Sequence, residues 1–258
     1  MAWYKNLTIK GKTDGFGCQL NAKLSGFAFC DNHPNYRYVH TPFSTVSHGY
    51  RGKEDVEKIN EFMGIPDNRR GKKIHSVFRC MDKVFNNPND WYTNKTLAKL
   101  RSWYWKSPKP NVSPDIVVHI RRGDIQKHRR DGNRYRRFQP NSWYNKVIPK
   151  IASNYPEDFR IDIHSEGEYG EFISIFEDWP KDLIKRTTLK ICETNSTTDD
   201  FNMLNAFHDM VSAKVLVQSK SGMSYTAGIY NENDVYFVLG NPDKGQKFPL
   251  ANWKIVNP

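Results

Sequence analysis

A short apolar run that ends in two arginines constrains the fold of this chain more than any other stretch. Residues 116–120 read Ile-Val-Val-His-Ile, and Arg121 and Arg122 follow directly. A run that is apolar on both faces is typical of a central parallel strand with helices on each side. Because open parallel sheets bind ligands at the carboxyl ends of their strands, the run places both arginines at a ligand-binding edge. The alternative is an ordinary core strand whose arginines pair with nearby acids.

Strand and helix patterns alternate along the rest of the chain. Strands are predicted at residues 7–9, 36–40, 77–78, 116–120, 160–164, 188–192, 214–218 and 234–239. Helices are predicted over 53–63, 97–105, 143–155, 172–179, 201–207 and 225–230, and a further helix carries Leu20, Leu24 and Phe27. This alternation predicts an α/β fold with mostly parallel sheets.

A proline-rich segment at 106–114 separates the two halves of this pattern. It cannot lie inside a helix, because proline removes a backbone donor and restricts the residue before it. We therefore expect two α/β domains, at residues 1–110 and 111–240. Residues 241–258 form a C-terminal tail. One arrangement of this tail is that it packs back on the first domain.

The composition is that of a globular protein. Of the 258 residues, 38% are hydrophobic and 26% are charged. No apolar stretch approaches the roughly 20 residues of a membrane-spanning helix. The first residues lack the apolar core of a signal peptide, so we expect a cytoplasmic protein. The four cysteines are scattered without metal-ligand spacing, which favours free thiols in a reducing compartment.

The formal net charge of +11 favours anionic partners such as nucleic acid, anionic membranes or phosphate-bearing substrates. The densest basic cluster lies at 127–137, immediately after the arginine strand. A lysine-rich solvated surface would give the same charge without a specific ligand. A nucleic-acid-binding protein is the competing function, and it predicts charge spread along one face and a steep salt dependence of binding.

Two further polar segments follow predicted strands. A glycine loop that contains Gly15, Phe16 and Gly17 precedes the first helix, and the sequence Ser-Lys-Ser-Gly-Met at 219–223 leads into the last one. Free backbone N–H groups at a helix amino end bind anions, and arginine binds phosphate through two N–H groups at once. With the arginine strand, these segments predict a diphosphate-binding cradle without a metal, bordering one cleft.

Three motifs in the same order resemble those of the α1,2-, α1,6- and protein O-fucosyltransferase superfamily. Its His-x-Arg-x-Gly/Thr-Asp motif is similar to residues 119–124, which read His-Ile-Arg-Arg-Gly-Asp. Residues 15–21 resemble its Gly-x-Gly-Asn-Gln-like loop, and residues 217–224 resemble its Ser-x-Ser-Ser-Phe-like segment. In that last segment, Gly222 and Met223 stand where the family has a second serine and a phenylalanine.

The resemblance implies the GT-B architecture, which has two Rossmann-like domains with a cleft between them. It implies an inverting, metal-independent glycosyltransferase that moves a sugar from a GDP-fucose or UDP-xylose type of donor to a glycan hydroxyl. Beyond this co-substrate, no cofactor, metal, nucleic-acid partner or transmembrane segment is then expected. Small members resemble the glycosyltransferases of large DNA viruses and algae, and a viral member would act in the host cytoplasm.

The resemblance also assigns the groups that act on the diphosphate. Arg121 is implied to bind the β-phosphate and to stabilise the departing nucleotide. Arg122 is implied to hold either the phosphates or the loop, and Asp124 to orient the arginines. The serine segment is implied to bind phosphate through hydroxyl and backbone groups.

Nucleoside recognition is implied for His164, Ser165 and Glu166, which end a neighbouring strand. Asp200 is a further candidate for contact with the base. The full set implied to bind the donor is Gly15, Phe16, Gly17, Arg121, Arg122, His164, Ser165, Glu166, Asp200, Ser219, Ser221, Gly222 and Met223.

Inversion needs a base that removes the proton of the acceptor hydroxyl. The candidates in the first domain are Asp14, His40, His48 and Asp55, of which Asp55 is favoured. His40 and His48 are also the expected acceptor-side residues. Each has a structural alternative. Asp14 is then a turn former, His40 a strand-end side chain and Asp55 a solvated acid at the start of a helix.

Overall fold

The computed structural model describes residues 5–47, 52–68, 75–76, 80–123, 125, 137–192, 202–239 and 248–256. The chain divides into two compact units, Met1–Lys109 with Asp243–Ala251, and Pro110–Pro242 with Asn252–Pro258. The division after Lys109 falls within the proline-rich segment.

The first unit contains a small parallel sheet and the helices around it. Its elements are β1 (Lys5–Thr8), α1 (Phe16–Asp31), β2 (Tyr36–Tyr38), α2 (Lys53–Met63), β3 (His75–Ser76), α3 (Cys80–Asn86), α4 (Pro88–Trp91) and α5 (Asn94–Lys106). The strand order is β2-β1-β3, and both pairings are parallel. Every residue of α1 except Cys18 and Asp31 is buried, so the helix is packed on nearly all sides and forms the centre of the unit.

The second unit contains a larger sheet. Its elements are β4 (Ile116–His119), α6 (Asn141–Ala152), β5 (Ile161–Glu166), a 3₁₀ helix (Tyr169–Ile175), α7 (Lys181–Lys185), β6 (Thr187–Cys192), α8 (Asn202–Ser212), β7 (Val215–Val217), α9 (Gly222–Tyr230), β8 (Asp234–Val238) and β9 (Lys254–Val256). The strand order is β6-β5-β4-β7-β8-β9, and all pairings are parallel.

Strand β4 lies in the interior of this sheet and is buried along its whole length. Successive side chains of a strand point to opposite faces. Ile116, Val118 and Ile120 accordingly join the apolar core that α6 and the 3₁₀ helix complete. The other face carries His119, and α8 packs against β4. The prediction of a parallel strand covered on both sides is therefore confirmed.

The predicted α/β fold with mostly parallel sheets is confirmed, but several boundaries differ. Residues 172–179 were expected to be helical, and the structure has a 3₁₀ helix at Tyr169–Ile175 instead. Strand β9 was not predicted, because Lys254–Val256 is too short for a clear alternation. The predicted strand at 77–78 lies outside the described residues.

The C-terminal tail is shared between the two units. Residues 243–251 belong to the first unit, where Asn89 Nδ2 donates a hydrogen bond of 3.4 Å to the Pro249 carbonyl oxygen. Strand β9 instead pairs with β8 in the second unit, where Trp253 packs against Tyr225 and Phe237.

In the described part of the chain, no helix is both long enough and apolar enough to cross a bilayer. All four cysteines are free thiols, as their spacing predicts.

Candidate functional site

The carboxyl ends of β4, β5 and β7 bring together those predicted donor-binding residues that the structure describes in the second unit. His119 of β4 is the register partner of His164 in β5, and Val118 is the partner of Val217 in β7. Beyond the last pair, Ile120 N–H still donates to the His164 carbonyl oxygen at 2.9 Å. The residues that follow these strands therefore meet at one edge of the sheet.

Arg121 lies at this edge, on the α8 side of the sheet. Its side chain is 25% exposed, and its Nη1 is 3.8 Å from Oε2 of Glu166. Because the two strands run in register, Glu166 follows His164 at the same spacing at which Arg121 follows His119. The edge thus holds a guanidinium and a carboxylate side by side.

Arg122 points to the opposite face and is only 1% exposed. Its Nη2 donates to Asn141 Oδ1 at 2.6 Å, and its Nη1 donates to the Arg121 carbonyl oxygen at 3.0 Å. The guanidinium lies 4.3 Å from the ring centroid of Phe138. Of the two roles that the resemblance allows for Arg122, these contacts fit holding the loop.

His119 is buried and contacts the serine segment. Its Nδ1 lies 2.9 Å from Ser219 Oγ. Burial, aided by the charges of Arg121 and His164, lowers the pKa of His119 to about 3. The imidazole is therefore neutral near pH 7 and joins the ends of β4 and β7 through a hydrogen bond.

His164 belongs to a charged group that the sequence did not reveal. Its Nε2 lies 2.9 Å from Oδ2 of Asp209 on α8, and Lys190 Nζ lies 3.1 Å from the same oxygen. Burial alone would raise the pKa of Asp209, but the hydrogen bond with His164 and the Lys190 charge outweigh it, so the pKa is lowered. Asp209 lies 45 residues from His164 along the chain, and only the packing of α8 brings them together.

Ser165 joins the ends of β4 and β5 through a hydrogen bond. It is buried, and its Oγ donates to the Ile120 carbonyl oxygen at 2.9 Å. The side chain lies on the α6 side, opposite Arg121, because it follows Ile163 by two positions.

The serine segment forms the amino end of α9. The Met223 N–H donates to Ser221 Oγ at 3.2 Å, so Ser221 acts as the N-cap of the helix. Ser219 lies 3.4 Å from Ser224, measured between the two Oγ atoms. Burial lowers the pKa of Lys220, which lies between these serines. Gly222 and Met223 begin the helix and are partly exposed.

The glycine loop lies in the first unit, at the amino end of α1. Gly15 precedes the helix, and Phe16 and Gly17 are buried in its first turn. Gln19 fixes the loop, because its Nε2 donates to the Asp14 carbonyl oxygen at 2.6 Å and to the Thr45 carbonyl oxygen at 2.7 Å. The loop is therefore held by side-chain contacts from within the unit.

The candidate bases in the first unit have different surroundings. The Asp14 carboxylate pairs with the Lys12 ammonium, and Asp14 is half-exposed. His40 is buried, with Nδ1 3.3 Å from the Tyr38 hydroxyl. Asp55 lies in the first turn of α2 and is partly exposed.

Three predicted site residues, Asp124, Asp200 and His48, lie outside the described residues, as does most of the basic cluster at 127–137. Within the ranges that the structure describes, no group of three or more His, Cys, Asp or Glu residues could hold a metal ion.

Comparisons with protein-family models, with curated proteins and with solved structures found no match to this chain.

Proposed function

We propose that this protein is an inverting glycosyltransferase of the GT-B type that uses a nucleoside diphosphate sugar. The observation that carries the proposal is Arg121, a partly exposed guanidinium at the carboxyl end of a buried parallel strand. The neighbouring strand, β7, leads directly into the amino end of α9. Cations and helix amino ends both favour phosphate, and here they occur at adjacent strand ends.

The reaction places its largest charge change on the leaving group. The acceptor hydroxyl oxygen forms a bond to the anomeric carbon, while the bond from that carbon to the phosphate oxygen breaks. The electron pair of this bond leaves with the diphosphate, and the hydroxyl proton passes to a base. A fixed guanidinium lowers the barrier, because it stabilises negative charge that grows in the transition state. Arg121 performs this role, and Arg122 positions it by bonding to its carbonyl oxygen.

The donor is of the GDP-fucose or UDP-xylose type, and the acceptor is a glycan hydroxyl. His164 belongs to the nucleoside-binding strand end, where Asp209 fixes its ring. Asp55 is the proposed base, because it is partly exposed, whereas His40 is buried and the Asp14 carboxylate pairs with Lys12. In the proposed step Arg121, rather than a divalent ion, stabilises the charge that grows on the leaving diphosphate.

Diphosphate release from the two donors tests this proposal. With a mixture of oligosaccharide acceptors and EDTA present, we expect the protein to release UDP from UDP-xylose or GDP from GDP-fucose. Arg121→Ala should lower the rate by about 100-fold or more, the size typical for loss of one transition-state donor. Arg37→Ala, which removes an exposed arginine of β2, is the charge-matched control and should not change the rate. If neither donor is cleaved with any acceptor, the proposed function is wrong.

A further inference from the structure

The carboxylate of Glu166 occupies space at the predicted phosphate-binding edge. Its Oε2 lies 3.8 Å from Arg121 Nη1. A Cβ atom built on Gly123 would lie only 2.2 Å from the same oxygen, so the carboxylate rests directly over the loop after β4. Gly123 has a φ of +70°, a conformation that glycine adopts readily, and it leaves room for this carboxylate.

Strand pairing fixes this arrangement. Ser165 Oγ donates to the Ile120 carbonyl oxygen at 2.9 Å, which locks the ends of β4 and β5 together. Arg121 follows Ile120 and Glu166 follows Ser165, and alternation puts both side chains on the α8 face. The backbone position of Glu166 is therefore set, whereas its side chain, which is 42% exposed, has room to turn toward solvent.

A carboxylate in this position weakens the binding of anions. At about 4 Å, two unit charges interact by roughly 1 kcal/mol in water and more near a protein surface. Any phosphate that pairs with Arg121 meets the like charge of Glu166 at close range. Binding therefore requires either that Glu166 moves away or that the repulsion is tolerated.

We propose that Glu166 competes with phosphate for Arg121 and opposes diphosphate binding until it turns away from that arginine. This rests on the proposed function for the identity of the ligand, and it differs from nucleoside recognition, the role that the resemblance implies. Glu166 then acts as a positioning and selectivity residue. Its carboxylate lies 3.8 Å from Arg121 Nη1, and it makes the site reject anions that cannot displace a carboxylate.

Inorganic pyrophosphate separates the two roles, because it carries the phosphates without a nucleoside. Glu166→Gln keeps the shape of the side chain and removes its charge. If Glu166 competes with phosphate, this variant should bind both pyrophosphate and a nucleoside diphosphate about tenfold more tightly, a change worth ~1.4 kcal/mol. If Glu166 instead recognises the nucleoside, the variant should bind the nucleoside diphosphate more weakly and pyrophosphate unchanged.

Isothermal titration of wild-type protein, Glu166→Gln and Glu168→Gln with pyrophosphate, UDP and GDP decides between these outcomes. Glu168 is an exposed acid two positions further on, so its substitution makes the same change in net charge and should leave affinity unchanged. Equal or weaker pyrophosphate binding by Glu166→Gln overturns the proposal, as does absence of pyrophosphate binding in both proteins. If pyrophosphate binds more tightly to the variant but neither nucleotide binds, the role of Glu166 stands and the glycosyltransferase assignment fails.

Discussion

At the scale of single residues, the two consecutive arginines differ more in their surroundings than in their chemistry. Arg121 is partly exposed beside Glu166, whereas Arg122 is 1% exposed and bonded to Asn141. The cause is the alternation of side chains along β4, which continues past the last strand residue. The same alternation could be read from the sequence, yet both arginines were predicted at the ligand-binding edge, and the structure buries Arg122 instead. Asn141, the partner of Arg122, lies just before the helix predicted over 143–155, and no sequence pattern linked the two residues.

Arg122→Ala should destabilise the protein more than Arg121→Ala. The substitution leaves Asn141 without its cationic partner and opens a cavity beside Phe138, so we expect a loss of about 3 kcal/mol in the free energy of unfolding. Arg121→Ala should cost less than about 1 kcal/mol, because its ion pair is partly exposed. Urea denaturation of the two variants measures both values. Equal losses would contradict the assignment of Arg122 to a structural role.

His119 should make stability depend on pH. Its pKa is lowered from 6.5 to about 3 in the folded protein, so the unfolded chain binds a proton that the folded chain does not. The contribution is fully present above pH 6.5 and is lost as the pH falls toward 3, at up to about 1.4 kcal/mol per pH unit. Urea denaturation between pH 7 and pH 4 should show a steeper loss for wild-type protein than for His119→Gln. Parallel curves would contradict a neutral, buried His119.

At the scale of elements, periodicity located most helices but did not show which polar side chains they bury. The bounds of α2, Lys53–Met63, match the predicted residues 53–63, because its apolar residues recur on one face and Gly64 ends it in a left-handed conformation. Helix α1 was predicted from Leu20, Leu24 and Phe27, yet the burial of Lys23 within it had no sequence signal. Lys23 donates to the Thr41 carbonyl oxygen and lies 4.8 Å from the Phe43 ring centroid.

Lys23→Met should stabilise α1 and with it the first unit. Burial lowers the pKa of Lys23 from 10.5 to about 8, so the charged form is unfavourable in the folded protein. A methionine fills similar space without that cost, and after the lost contacts to Thr41 and Phe43 we expect a net gain of about 1 kcal/mol at pH 7.

The gain from Lys23→Met should shrink as the pH rises from 8 to 10.5, because the unfolded wild-type chain alone then still carries the proton. Thermal or urea denaturation at pH 7 and pH 10 measures it. A destabilised variant at pH 7 would show that the ammonium contributes more through its contacts than it costs by burial.

At the scale of the whole molecule, the sequence predicted the alternation of strands and helices but not the order of the strands within each sheet. Parallel pairing of β4 with β5 and β7 follows the general rules of α/β folds. The addition of β9 at the edge of the larger sheet depends on Trp253 packing against Tyr225, a contact that no local pattern reveals. Likewise, the Asp209 and His164 pair depends on how α8 packs.

The net charge of +11 is also a property of the whole molecule, and the two function classes use it in different ways. A nucleic-acid-binding protein uses charge along a surface and loses affinity steeply with salt. The proposed glycosyltransferase uses Arg121 at one strand end to hold a diphosphate. Both classes predict anion binding, but only the second predicts that the substitution of one arginine, Arg121, abolishes it.

Thermal denaturation with GDP, UDP, GMP and UMP in the presence of EDTA tests whether Arg121 binds a diphosphate. We expect one diphosphate at about 100 times its dissociation constant to raise the melting temperature by ~5 °C or more, and its monophosphate to have a much smaller effect. The shift should disappear in Arg121→Ala and persist in Arg37→Ala. If no diphosphate shifts the melting temperature while RNA or DNA binds tightly with steep salt dependence, the protein is not the proposed glycosyltransferase.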